Sequence, residues 1–215
     1  MQAFIFDFDG VIVDSERHWL RADTDFFPSL VPGYDALDAK HMMGLGIESG
    51  YHYLVGRHGA FLPFEEYKRR VDAEVDDIYS SRAKLLPGIP ALLDRLDALG
   101  TPVGIASSSR NIWVGQALKR LGIHRRFQAI KTGDDVGVRT KPLPDVYLLC
   151  AESLGLPATR CTALEDSDNG IKAAKTAGMT CVAIRTDMNE AQSLAEADLR
   201  IGHMDELDDA ALRTL

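Results

Sequence analysis

A chain of 215 residues, 46% hydrophobic and 26% charged, has ample apolar surface for a core and reads as an ordinary globular protein, either one large domain or a core with a modest insertion. The formal net charge of −8, with no run of Lys and Arg along one face, repels polyanions and argues against nucleic acid as a partner. No segment approaches the roughly 18 apolar residues of a membrane span and no basic leader opens the chain, so a cytoplasmic protein with no membrane partner is expected.

Taken in chain order, the first candidate strand is Phe4 to Phe8, an apolar run ending in Asp7-Phe8-Asp9-Gly10. Residues 16–82 then carry helical patterns with no convincing strand between them; Phe64, Tyr67, Val71, Val75 and Ile78 form one apolar stripe. This predicts an all-helical insertion. Leu86-Pro87-Gly88 marks the return of a core made of residues 1–15 and 83–215. There Ile89, Leu92, Leu93, Leu96 and Leu99 repeat at the spacing of one helix face. Further short apolar runs read as buried strands: Pro102 to Ala106, Phe127 to Ile130, Cys161 to Leu164, Thr180 to Ile184 and Leu199 to Ile201. Four helices are expected to stop at Gly100, Gly122, Gly155 and Gly178, where a left-handed cap needs a residue without Cβ. Cys150, Cys161 and Cys181, odd in number and without a Cys-x-x-Cys pair, read as reduced core thiols. The alternation predicts an α/β protein, a Rossmann-like parallel sheet core with an inserted all-helical domain and ligands at the carboxyl ends of the strands.

Two carboxylates at one strand end, Asp7 and Asp9, repel each other unless a cation or a proton lies between them, so the pair implies metal binding, acid–base chemistry or both. A calcium loop of EF-hand type fails on spacing, because its glycine and glutamate positions hold Ile12 and His18.

Extended to Phe6-Asp7-Phe8-Asp9-Gly10-Val11-Ile12-Val13-Asp14-Ser15-Glu16, the segment resembles the first motif of the haloacid dehalogenase superfamily. By that resemblance Asp7 attacks phosphorus and Asp9 is the general acid and base. Three further segments match in order. Ile105-Ala106-Ser107-Ser108-Ser109 resembles the second motif, implying that Ser107 and Ser108 hold phosphoryl oxygens near a helix N-terminus. Lys141-Pro142-Leu143-Pro144-Asp145 resembles the third, whose lysine offsets the charge shared by nucleophile and phosphate. Leu164-Glu165-Asp166-Ser167 resembles the fourth, whose acids would complete a Mg2+ site with Asp7 and Asp9, Glu165 directly or through water.

Asp9 points to phosphoryl transfer, because a dehalogenase has no need of a second aspartate. The helical insertion resembles the small cap of the β-phosphoglucomutase and phosphoglycolate phosphatase group, implying a small phosphorylated metabolite, in the first place a sugar phosphate, as the substrate. Mutases of that group carry a hinge histidine and basic cap residues; an ungapped alignment puts Trp19, Met43 and Ile47 there, with His18 one place away, and so favours hydrolysis. Ser109-Arg110-Asn111 speaks the other way, since it resembles the segment steadying a second phosphate, which makes Arg110 and Asn111 candidate substrate contacts. His41, Glu48, His52 and Arg57 are candidate cap contacts. A mutase and a non-catalytic ligand-binding relative are the alternatives. Nothing in the sequence identifies a protein partner.

Overall fold

The computed structural model describes residues 2–42 and 47–215. Strand β1 (Ala3–Phe6) is followed by helices α1 (Glu16–Arg21), α2 (Phe27–Leu30), α3 (Ala36–Met42), α4 (Ile47–His58) and α5 (Phe64–Asp77). Helix and strand then alternate through α6 (Ile89–Ala98), β2 (Val103–Ala106), α7 (Asn111–Arg120), β3 (Ala129–Lys131), α8 (Gly133–Val136), α9 (Asp145–Ser153), β4 (Cys161–Glu165), α10 (Asp168–Thr176), β5 (Thr180–Ile184), β6 (Leu199–Ile201) and α11 (Asp209–Thr214).

The six strands form one parallel sheet in the order β3-β2-β1-β4-β5-β6. β1, β2 and β4 are buried along their whole length, which is why their sequences are continuous apolar runs without alternation. Residues Ile5, Ala163, Ala183, Val146, Cys150, Ile171 and Ala174 belong to one core cluster. Helix α6 buries Ile89, Leu92, Leu93 and Leu96, each worth about 1.5–3 kcal/mol as an upper estimate. β2 and β3 lie on one side of β1 and the later strands β4 to β6 on the other, so the strand order reverses at β1, the place where parallel sheets of this kind bind ligands.

The four glycine stops are present, all at positive φ. At each, the glycine N–H bonds back to a carbonyl three residues earlier, and the following N–H (Thr101, Ile123, Leu156, Met179) to one five residues earlier, the signature of a Schellman cap. Two strand limits differ from the sequence reading by two residues, and four others by one. β1 ends at Phe6 instead of Phe8, because the chain turns at Gly10 and the Ile12 and Val13 N–H groups take the Phe8 carbonyl. β3 starts at Ala129 instead of Phe127, because the Gln128 side chain accepts from the Val103 N–H in place of a strand partner. The three cysteines are free and buried.

The contacts divide the chain into residues 1–14 with 84–215, and Ser15–Ala83. The chain leaves the first unit beside its point of return: the Asp14 N–H donates to the Lys84 carbonyl at 3.0 Å and the Lys84 N–H to the Asp14 carboxylate at 2.6 Å. In the second unit the described residues are helical or in loops. α5 buries Tyr67, Val71 and Val75, and the Tyr51 ring lies 5.2–5.4 Å from those of Phe61, Phe64 and Tyr67.

Candidate active site

Asp7 stands one residue beyond β1, where its N–H still donates to the Leu164 carbonyl at 2.9 Å. The β1–β4 register pairs Phe6 with Leu164, so Asp7 and Glu165 emerge side by side at the carboxyl edge. Gly10 turns the chain away at a φ of +73°, and a Cβ there would overlap the Asp166 carboxylate. The glycine after the paired aspartates therefore serves twice, supplying a left-handed backbone and room for an acid from another loop.

Lys141 reaches this place from the loop before α9. Its Nζ lies 2.6 Å from Asp7 Oδ1 and 2.6 Å from Glu165 Oε1, with all three side chains buried or nearly so. Glu165, fully buried, accepts on Oε1 also from the Tyr147 hydroxyl at 2.7 Å, and on Oε2 from the Asp166 N–H at 3.2 Å and Ser167 Oγ at 3.3 Å. Its carboxylate sits against the first turn of α10, where a Cβ on Gly170 would overlap it. Asn189 Nδ2 donates to the Asp166 carbonyl at 2.8 Å and the Ile184 carbonyl at 2.9 Å, pinning the backbone that carries Asp166.

Asp7, Glu165 and Asp166 each offer a carboxylate oxygen within 4.8 Å of the others, and all three are buried. So much negative charge in a dry place is costly. Burial pushes the Asp7 carboxyl up to about 8; Lys141 opposes this, while the charges of Glu165 and Asp9 add to it. Burial works against the Lys141 ammonium, yet Asp7 and Glu165 together hold it above the ordinary lysine range.

The remaining expected residues fall as follows. The Asp9 carboxylate is not among the three that converge; it accepts from Ser109 Oγ at 2.5 Å. Ser107 is buried at the end of β2 and its Oγ accepts from the Ser109 N–H at 3.0 Å, whereas the Ser108 side chain is exposed. Arg110 and Asn111 are exposed at the start of α7 and both meet Asp134: the Asn111 N–H donates to Asp134 Oδ2 at 2.8 Å, and Arg110 Nε lies 3.7 Å from Oδ1, its guanidinium 5.5 Å from the Trp113 ring centre. In the helical unit, Trp19 Nε1 lies 3.4 Å from the Tyr79 hydroxyl and Ile47 opens α4; Met43 lies outside the described residues. Arg57 binds Asp35 at 2.7 and 2.9 Å and also Asp38, a fully buried acid that holds His58 as well, so its guanidinium is committed inside its own unit. His41 stacks on Tyr53 at 3.9 Å, and Glu48 and His52 are exposed.

Sequence reasoning missed Tyr147, Ser109, Asn189 and Gly170. Tyr147 left one signal, a phenol among the apolar positions of α9, where a buried hydroxyl needs a partner. The partners of Asn189 and Gly170 lie across the fold and leave no local trace.

Residues 4–184 match the family model described as haloacid dehalogenase-like hydrolase. Hexitol phosphatase B of Escherichia coli (strain K12) is 32% identical over 212 residues, covering 95% of this chain and 93% of that protein. β-Phosphoglucomutase of Bacillus subtilis is 30% identical over 214 residues, covering 96% and 92%. The crystal structure of CbbY from Rhodobacter sphaeroides in complex with phosphate aligns over 100% of both chains with a TM-score of 0.81 at 27% identity. The chain belongs to the haloacid dehalogenase-like hydrolases. It is an enzyme of their phosphatase type, with both phosphatases and a phosphoglucomutase among its relatives.

Proposed function

We propose that the chain is a magnesium-dependent phosphatase that hydrolyses a small phosphorylated metabolite, in the first place a sugar phosphate, through an aspartyl-phosphate on Asp7. The observation that carries this reading is the buried set at the strand ends, in which Lys141 lies 2.6 Å from both Asp7 and Glu165 and Asp166 stands beside them. Three buried carboxylates with only oxygen donors suit a hard divalent cation, so Asp7, Glu165 and Asp166 would hold Mg2+. When bound, the cation supplies the positive charge that lets an anionic carboxylate approach an anionic phosphate.

The rest is chemistry of this chain's own side chains. Asp7 forms a bond to phosphorus while the ester P–O bond breaks, and Asp9 gives a proton to the leaving oxygen. Asp9 then takes a proton from water as the water oxygen bonds to phosphorus; the bond to Asp7 breaks and inorganic phosphate departs. Lys141 offsets the charge passed between nucleophile and phosphate, and Ser107 with the Ser108 backbone holds phosphoryl oxygens. The Ser109 hydroxyl gives the Asp9 carboxylate a fixed direction at rest.

Hydrolysis is preferred to mutase chemistry because the places read as basic in a mutase hold Trp19, Met43 and Ile47, and because Arg110 and the Asn111 N–H already meet Asp134. Relatives named hexitol phosphatase and phosphorylated carbohydrates phosphatase favour sugar phosphates. No helix among the described residues is long and apolar enough to cross a membrane, in keeping with the proposed cytoplasmic location.

The test is phosphate release from p-nitrophenyl phosphate and a panel of sugar phosphates, with and without Mg2+, by the wild type and by Asp7→Asn. Turnover by the wild type and none by the near-isosteric variant is expected. With β-glucose 1-phosphate and a trace of its bisphosphate, efficient glucose 6-phosphate formation without phosphate release would establish the mutase instead. Binding without turnover on every compound would indicate a non-catalytic relative.

A further inference from the structure

We infer that Tyr147 is a positioning residue for Lys141, holding the ammonium evenly between Glu165 and Asp7 by donating a hydrogen bond to Glu165 and lending its ring face to Nζ; this rests on the phosphatase reading above. Three observations converge. The Tyr147 hydroxyl lies 2.7 Å from Glu165 Oε1, the same oxygen that holds Lys141 at 2.6 Å. The Lys141 Nζ stands 4.9 Å from the centre of the Tyr147 ring, within the range of a cation–π contact. Tyr147 is completely buried in the core cluster beneath the sheet, so both contacts are made in a dry, low-dielectric place where each is stronger than in water.

A phenylalanine would fill the same volume and offer the same ring. The hydroxyl therefore has no packing purpose, and buried it would cost free energy without an acceptor. Its acceptor is the acid that competes with Asp7 for the lysine. Among the described residues Glu165 Oε2 takes the longer bonds from Asp166 N–H and Ser167 Oγ, and Tyr147 gives Glu165 its short neutral hydrogen bond. With it, part of the negative potential of Oε1 is met by a phenol, and the ammonium can lie equally close to both acids. Without it, Lys141 alone answers Oε1 and is drawn toward Glu165, away from Asp7 and the phosphoryl group Asp7 is proposed to receive. Such a shift touches the step in which charge moves onto phosphate more than the binding of substrate.

The test combines kinetics with nuclear magnetic resonance on the full chain. Tyr147→Phe is expected to lower kcat about tenfold on p-nitrophenyl phosphate with KM within about twofold, since one hydrogen bond to a charged group is lost while the pocket keeps its shape. In metal-free wild type labelled with 15N at lysine Nζ, Lys141 should give a slowly exchanging ammonium signal, assigned by its loss in Lys141→Ala, with cross-relaxation to the Tyr147 ring protons. In Tyr147→Phe that signal should shift and exchange faster with solvent. A purely structural tyrosine would lower Tm but leave the signal and the kcat of the folded protein alone, and that result overturns the inference. Absence of the ammonium–ring cross-relaxation in the wild type overturns it too, whether or not the variant folds. A wild type without turnover whose ammonium signal nevertheless responds to Tyr147→Phe would refute the phosphatase reading and leave the positioning role standing.

Discussion

At the scale of single residues, Asp7 is the group under most tension. A carboxyl held near 8 by burial keeps its proton at neutral pH in the metal-free protein, so a cation arriving at Asp7, Glu165 and Asp166 must displace that proton. The sign follows directly. The folded-state value is raised above the ordinary 3.8, so proton release accompanies metal binding below about pH 8, and apparent affinity should rise with pH up to that point and then level off. The Tm increase produced by a fixed Mg2+ concentration should therefore be larger at pH 8 than at pH 6. A hundredfold excess over the dissociation constant would contribute about 2.7 kcal/mol. Asp166→Ala should largely abolish the increase. A Tm increase equal at the two pH values would remove Asp7 from the ligand set.

At the scale of elements, the site depends on two glycines that make room for the acids at the end of β4, Gly10 for Asp166 and Gly170 for Glu165. Gly170 lies inside α10, where replacement by alanine ordinarily stabilises a helix by about 1 kcal/mol. Here the added methyl would overlap the Glu165 carboxylate and push it off Lys141 and Tyr147. Gly170→Ala is therefore expected to lower Tm and to reduce kcat by about tenfold or more, because the displaced acid carries the lysine with it. A Tm equal to or above the wild type with unchanged kcat would show that the loop yields without cost. The strands and helix stops at this scale were legible in advance, since a buried parallel strand and a Schellman cap are written in neighbouring residues. The two strand limits misplaced by two residues came from Gly10 and Gln128, which exchange ladder bonds for bonds in a loop.

At the scale of the molecule, the helical unit has a polar centre of its own. Asp38, with no exposed surface, accepts from Arg57, His58 and the Asp35 N–H, and Arg57 also grips Asp35. Asp38→Ala removes the acceptor shared by the Asp35 N–H, His58 and Arg57, and only Arg57 keeps another acid, Asp35, so the substitution should destabilise the protein by about 1–3 kcal/mol, measured by denaturant unfolding. Asp38 titrates below its ordinary value in the fold; although burial would raise it, the Asp35 N–H, Arg57 and His58 outweigh that effect. Its contribution is thus present above about pH 4 and lost as pH falls further, and the difference between wild type and variant should shrink in acid. A difference unchanged between pH 7 and pH 3 would show that the charge of Asp38 contributes nothing.

Resemblance to four motifs implied that Asp7, Lys141, Glu165 and Asp166 belong to one site, while period and glycine position were enough to read the parallel sheet and its helix caps. The sheet and the caps are set by local sterics and by the burial of a short apolar run. Contact partners were a different matter. Lys141 meets acids 134 and 24 residues away, the Asp9 carboxylate turns to Ser109, Tyr147 finds Glu165, and Arg57 is drawn into the Asp35 and Asp38 cluster. A buried polar group must be satisfied, but which donor reaches which acceptor follows from the register of elements far apart in the chain, and only the tertiary structure decided it.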